Sequence, residues 1–129
     1  MKTDREELSW AAGFFDGEGN TNYQTGSRQI QLKVPQTDPT VLYRFLQAVR
    51  QGKVCGPYPY NPVKYPNAKP RYVYQTWRFE DTQAVIAILW FKLSRAKRIQ
   101  ARREFRRFYE HRGIQPYVKS EWNYEDRDD

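Results

Sequence analysis

Residues 11–19 read Ala11-Ala12-Gly13-Phe14-Phe15-Asp16-Gly17-Glu18-Gly19, and this stretch constrains the fold in three ways. Ala11, Ala12 and Gly13 are small enough to let a second backbone approach closely. Leu8, Ala11, Ala12 and Phe15 recur at i, i+3, i+4 and i+7, one apolar face of a helix. Asp16 and Glu18 fall at the carboxyl end of that helix, where the macrodipole disfavours negative charge, and Gly17 and Gly19 end it. A divalent cation would offset that cost. A solvated turn carrying Asp and Glu for solubility is the plainer reading, and the residues alone leave both open. Upstream, Thr3-x-x-Glu6 has the form of a capping box, so the helix is expected to begin at Thr3 or Asp4.

Downstream, Asn20 to Thr25 has strand character with Gly26-Ser27 as its turn, and Gln29 to Val34 alternates with period two. Ile30, Leu32 and Val34 are expected to face a core, with Gln29, Gln31 and Lys33 outward. Thr37-Asp38-Pro39 starts a second helix, with Leu42, Phe45, Leu46 and Val49 as its buried stripe and Gly52 closing it. Lys53 to Gly56 reads as a short strand. Five prolines between Pro57 and Pro70, interleaved with Tyr58, Tyr60, Lys64, Tyr65 and Lys69, predict an extended arm. Tyr72 to Phe79 is the expected returning strand, with Val73, Gln75, Trp77 and Phe79 on one face and Tyr72, Tyr74, Thr76 and Arg78 on the other. Asp81 or Thr82 is expected to cap a third helix, and Ser94 a last one rich in arginine that ends near Gly113. The order is α-β-β-α-β-β-α-α, an α+β chain.

At 129 residues, the length fits a single domain, expected over residues 1–113. The longest apolar run, Ala84 to Phe91, is eight residues, too short for a membrane span. One cysteine, Cys55, excludes an internal disulfide, and one histidine, His111, argues against a histidine metal cluster or triad. Metal chemistry here would therefore use oxygen ligands and a hard ion. The net charge is +7. Residues 114–129 hold Lys119 and Arg127 against Glu121, Glu125, Asp126, Asp128 and Asp129, an acidic, aromatic-containing tail of net −3 that leaves +10 on the first 113 residues. A basic excess of this size attracts nucleic acid.

Residues 11–19 resemble the signature of the LAGLIDADG homing endonuclease family, in which the Asp16-Gly17-Glu18-Gly19 ending is common. Val34-Pro35-Gln36-Thr37-Asp38, Gly52-Lys53-Val54, Trp77-x-Phe79 and Lys97-Arg98-Ile99-Gln100-Ala101 are further landmarks in family order. The resemblance covers roughly residues 5–110. Ala11 stands where leucine is usual, and Asn20 where serine or cysteine is frequent. The resemblance implies an αββαββα(α) fold with a four-stranded antiparallel DNA-binding sheet. It implies site-specific cleavage of a long pseudo-palindromic double-stranded DNA target by Mg²⁺-dependent phosphodiester hydrolysis, as in intron homing. Mn²⁺ would substitute, and Ca²⁺ would bind without supporting cleavage.

By the same resemblance Glu18 is the metal-binding carboxylate, Gly19 adds a carbonyl ligand, and Asp16 is either a further ligand or structural. Gln36 orders solvent at the cleavage site and Lys97 is the pocket lysine. One motif in a short chain implies a homodimer, with Leu8, Ala11, Ala12, Gly13 and Phe15 at its interface. The expected DNA-binding residues are Asn20, Asn22, Gln24, Arg28, Gln29, Gln31, Lys33, Lys53, Cys55, Tyr72, Tyr74, Thr76 and Arg78, none of them acidic. The alternative is a non-cleaving binding protein on the same fold, a maturase or a regulator. A small basic RNA-binding protein with an aromatic stacking sheet is a third class. No membrane and no small-molecule substrate are expected. No secretory or transit signal is visible, so the expected setting is intracellular: bacterial or phage cytoplasm, or an organelle.

Overall fold

The computed structural model describes residues 4–113. Thr3 of the capping box, and the tail with Tyr117, Trp122 and Tyr124, lie outside them. The elements follow the expected order: α1 Asp4–Glu18, β1 Asn20–Gln24, β2 Gln29–Gln36, α2 Pro39–Val49, β3 Lys53–Tyr58, β4 Arg71–Gln75, α3 Phe79–Leu89, a 3₁₀ turn at Trp90–Lys92, and α4 Arg95–His111. The strands are antiparallel in the order β1-β2-β4-β3.

The alternation of β2 sets the layers. Ile30, Leu32 and Val34 are fully buried beneath the helices. Leu32, Val34, Phe15, Leu42, Phe45, Val85 and Leu89 form one core, and Tyr23, Ile30 and Phe108 a smaller one, where Phe108 stacks on Phe79 at 4.7 Å. Helix α1 is tied to α2 by Arg44, which donates to both Glu7 carboxylate oxygens (2.9 and 3.0 Å) and lies 3.8 Å over the Trp10 ring. Asp38 caps α2 by accepting from Thr40 N, and Arg50 ends it in the left-handed conformation. Helix α4 lies along β1. The Gln100 and Glu104 side chains, one turn apart, accept the main-chain N–H groups of Thr21 (3.3 Å) and Tyr23 (3.2 Å).

The facing of the fourth strand is a correction. Lys33 pairs with Gln75 and Val34 with Tyr74. Tyr72, Tyr74 and Thr76 therefore share the inner face with Val34. Tyr74 and Thr76 are fully buried, and neither reaches an open surface. Arg71, Val73 and Gln75 take the outer face instead. Tyr74 packs edge-on against Phe45 at 4.8 Å and its hydroxyl donates to the Gln51 carbonyl. Burial, aided by the Asp81 charge, pushes this phenol up, so it stays a neutral donor. Gly52 lies so close beneath that ring that a Cβ would meet the hydroxyl at 2.7 Å.

Strand β4 also stops at Gln75, and α3 begins at Phe79 with Arg78 at the cap position. Neither Asp81 nor Thr82 caps it. Thr82 is instead buried in a relay: Leu32 N–H donates to Thr76 Oγ1 (3.0 Å), the two threonine hydroxyls meet at 2.7 Å, and Thr82 Oγ1 donates to the Ile30 carbonyl (2.9 Å). The segment expected as an extended arm is partly tied down. Asn61 Oδ1 accepts from Val63 N at 2.9 Å, and Tyr60 meets Tyr65 edge-on at 5.9 Å. β3 is irregular between Cys55 and Tyr58, where its register to β4 shifts.

Replacing Thr82 by valine keeps the shape and breaks the relay: the Thr76 hydroxyl keeps only the Leu32 N–H, and the Ile30 carbonyl loses the Thr82 donor. Urea denaturation should show a loss of about 1–3 kcal/mol at unchanged slope.

Candidate functional site

The turn from α1 into β1 is built around Gly19. Its N–H donates to the Phe15 carbonyl (2.8 Å), and a Cβ there would sit 2.2 Å from the Phe15 ring, so only glycine fits over that buried phenylalanine. Both acids of the motif leave α1 within this turn. Asp16 accepts from the main-chain N–H of Ser94 through both carboxylate oxygens, at 3.0 and 3.1 Å. Ser94 caps α4, its side chain accepting from Lys97 N. The charge that opposes the dipole of α1 is thus offset by the positive end of α4. No cation is required to explain Asp16, whose carboxylate has a structural partner in Ser94. Glu18 is different. It is exposed and makes no hydrogen bond or ion pair among the described residues.

Lys97, in the first turn of α4, donates its Nζ to the Gly19 carbonyl. Two residues singled out in sequence 78 positions apart are therefore in contact, with the carbonyl expected to serve a metal engaged by an ammonium. Gln36 is the last residue of β2, half-buried, at the level where Tyr72 enters β4. Asn20 opens β1 opposite Lys33. Glu18, Gly19 and Lys97 thus stand at the start of β1, beside the end of β2 that carries Gln36.

The outer face of the sheet follows from the register. Asn20, Asn22 and Gln24 lie opposite Lys33, Gln31 and Gln29, and Lys53 and Cys55 flank Gln75 and Val73. Lys33, Gln75 and Lys53 make one row across three strands. Lys33, Pro35, Tyr58, Arg71, Val73 and Gln75 line a depression of about 250 Å³. No residue of this face is acidic. Gln31 departs from expectation: it is 5% exposed, and its Oε1 lacks a partner among the described residues. Arg28 and Arg78 lie apart from this row, in a groove with Gln29, Trp77 and Arg112. Arg71 and Gln75 are the outer-face residues that the phase error on β4 concealed. The small residues of α1 are also redistributed. Ala11, Ala12 and Phe15 are buried in the chain's own core, and Leu8 packs against it. The open stripe of α1 is Ser9, Gly13 and Gly17, and a Cβ on either glycine meets nothing within 4 Å.

In three dimensions the chain is similar to solved homing endonucleases. One is I-CvuI in complex with the I-CreI target in 2 mM Mg with the DNA not cleaved, matched over 84% of this chain and 69% of its own at TM-score 0.63 and 19% identity. Another is the archaeal intron-encoded I-Vdi141I complexed with DNA, matched over 96% and 94% at TM-score 0.53 and 12% identity. A third, I-TnaI, is matched over 92% and 94% at TM-score 0.51 and 15% identity. No protein-family profile and no curated protein matches the chain in sequence. The described residues have the architecture of the LAGLIDADG homing endonucleases: α+β, with a four-stranded antiparallel sheet and four α-helices. No helix among the described residues is long and apolar enough to cross a membrane.

Replacing Asp16 by alanine removes the acceptor for Ser94 N–H at the amino end of α4. Thermal or urea unfolding should show a loss of about 1 kcal/mol. A stability gain in the absence of metal would instead mark Asp16 as an uncompensated ligand.

Proposed function

We propose that this chain is a site-specific, Mg²⁺-dependent DNA endonuclease that acts as a homodimer on a long pseudo-palindromic target. The observation that carries the reading is Glu18, an exposed carboxylate without a partner among the described residues, at the rim of a sheet face that bears no acid of its own. Such a face attracts the DNA backbone, and Glu18, an acid at its rim left without a partner among the described residues, is where a cation is needed.

The donor set fits a hard ion, because the Glu18 carboxylate and the main-chain carbonyls beside it are oxygen ligands. Among the described residues no group of three or more His, Cys, Asp or Glu is assembled, and Glu18 with neighbouring main-chain carbonyls would be this chain's contribution to holding such an ion. When bound, such an ion polarises the phosphate and lowers the pKa of its water. The chain's own residues account for the rest. Glu18 would hold the ion. Lys97, fixed on the Gly19 carbonyl, keeps a positive charge where charge builds on the phosphate. Gln36 offers a carboxamide to order solvent. On the outer face, Asn20, Asn22, Gln24, Gln29 and Gln75 present the carboxamides that pair with adenine, while Lys33, Lys53 and Arg71 suit guanine or phosphate.

One Glu18 per chain serves one strand, so cutting both strands takes two copies. The open Ser9–Gly13–Gly17 stripe suits close helix approach across a two-fold axis. Phe91, on the 3₁₀ turn that packs against α1, is 93% exposed and adds an apolar anchor to that face. Gly13→Arg should give a monomer by sedimentation with DNA present, with folding intact, and cutting of both strands should be lost. A monomeric unmutated chain would overturn the dimer.

Glu18→Gln keeps shape and removes the charge that holds the ion. On a site selected from a randomised duplex pool, strand cleavage should fall at least about a thousandfold while gel-shift affinity holds. Mn²⁺ should replace Mg²⁺, and Ca²⁺ should support binding without cutting. Normal cutting by Glu18→Gln removes the site assignment. Specific binding by the unmutated chain without cutting in Mg²⁺ or Mn²⁺ selects the maturase or regulator reading.

A further inference from the structure

We infer that Arg103, on the outer edge of α4, is a phosphate-contacting residue that seats duplex DNA against β1. The inference rests on the reading of the sheet face given above. A groove of about 330 Å³ runs between β1 and α4, with Asn20 and Asn22 on the strand side and Ala96, Ile99 and Arg103 on the helix side. Ala96, Ile99 and Arg103 fall at i, i+3 and i+7, one stripe of the helix. Asn20 and Asn22 belong to the outer face, opposite Lys33 and Gln31. The groove is therefore the flank of the DNA-facing surface, and α4 forms its wall.

The charge in this groove is unbalanced toward the cation. Glu104, the acid that lines it, accepts from Tyr23 N–H at 3.2 Å and from Arg107 at 3.1 and 3.2 Å. Gln100 is engaged by Thr21 N–H. Ala96 and Ile99 are uncharged. Arg103 is exposed and makes no hydrogen bond or ion pair among the described residues. A duplex whose bases lie over Asn20 and Asn22 brings its backbone to this wall, and a guanidinium there pairs with a phosphate oxygen. The contact positions the duplex and carries no sequence information.

The test uses the full chain and a mixed-sequence DNA duplex, with affinity measured across salt concentration. Arg103→Ala should reduce the slope of log K against log salt by about 0.9 for each chain engaged. Its preferred sequence, selected from a randomised pool, should be unchanged, and circular dichroism should show the same fold because the side chain is exposed. Arg103→Lys should restore the slope, since a point charge suffices for a phosphate. An unchanged slope in Arg103→Ala beside a steep response of the unmutated chain overturns this contact alone. A changed preference at the positions over Asn20 and Asn22 overturns it in favour of base reading. Failure of lysine to restore the slope overturns a charge-based contact. A flat salt response of the unmutated chain removes the DNA reading itself, and this contact with it.

Discussion

The carboxyl end of α1 is held against the amino end of α4, and the rest of the molecule is arranged around that junction. Two helix termini of opposite partial charge meet there. Asp16 takes the Ser94 N–H, and Lys97, one turn into α4, returns a proton donor to the Gly19 carbonyl. Each contact satisfies a main-chain group that the helix ends leave open. The junction fixes where β1 can start, because Gly19 is pinned between the Phe15 ring and the Lys97 side chain. It also fixes where α4 can run, and α4 in turn aligns Gln100 and Glu104 with the N–H groups of β1. A single local arrangement thereby sets the angle between the helical layer and the sheet.

The junction also divides labour between the two acids of the motif. Helix geometry places Asp16 and Glu18 about 200° apart around the axis. One acid therefore turns inward to α4 while the other is left to solvent. Burial of Phe15 between them enforces the division. The inward acid holds the scaffold, and the outward one is left exposed without a partner among the described residues. Residues that share a sequence motif need not share a role.

What was legible in the sequence follows the strength of each signal. The clean alternation of Gln29 to Val34 fixed β2 and its facing, because polar and apolar sets differ sharply there. On β4 both sets were mixed, Tyr-Tyr-Thr against Val-Gln-Trp, so period two carried no phase. The large apolar body of Tyr74 took the core, its hydroxyl reaching Gln51. Thr82 read as a cap because buried threonine relays have no sequence signature. The contact of Lys97 with the turn was marked by a resemblance and not by spacing. The small residues of α1 misled for a plain reason: Ala11 and Ala12 permit close packing, but periodicity does not say whether the close neighbour belongs to the same chain.

The side chains of Gln100 and Glu104 have a consequence for how large the sheet can become. By accepting the outward N–H groups of β1 they seal that edge against a further strand. The opposite edge, β3, carries a charged residue at Lys53, and its pairing slips between Cys55 and Tyr58 around Gly56 and Pro57. An edge interrupted in this way is a poor template for strand addition. Neither side therefore invites edge-to-edge aggregation, which matters for a chain that a polyanion would concentrate. Among the described residues the sheet thus stays four strands wide, with neither edge open to a fifth.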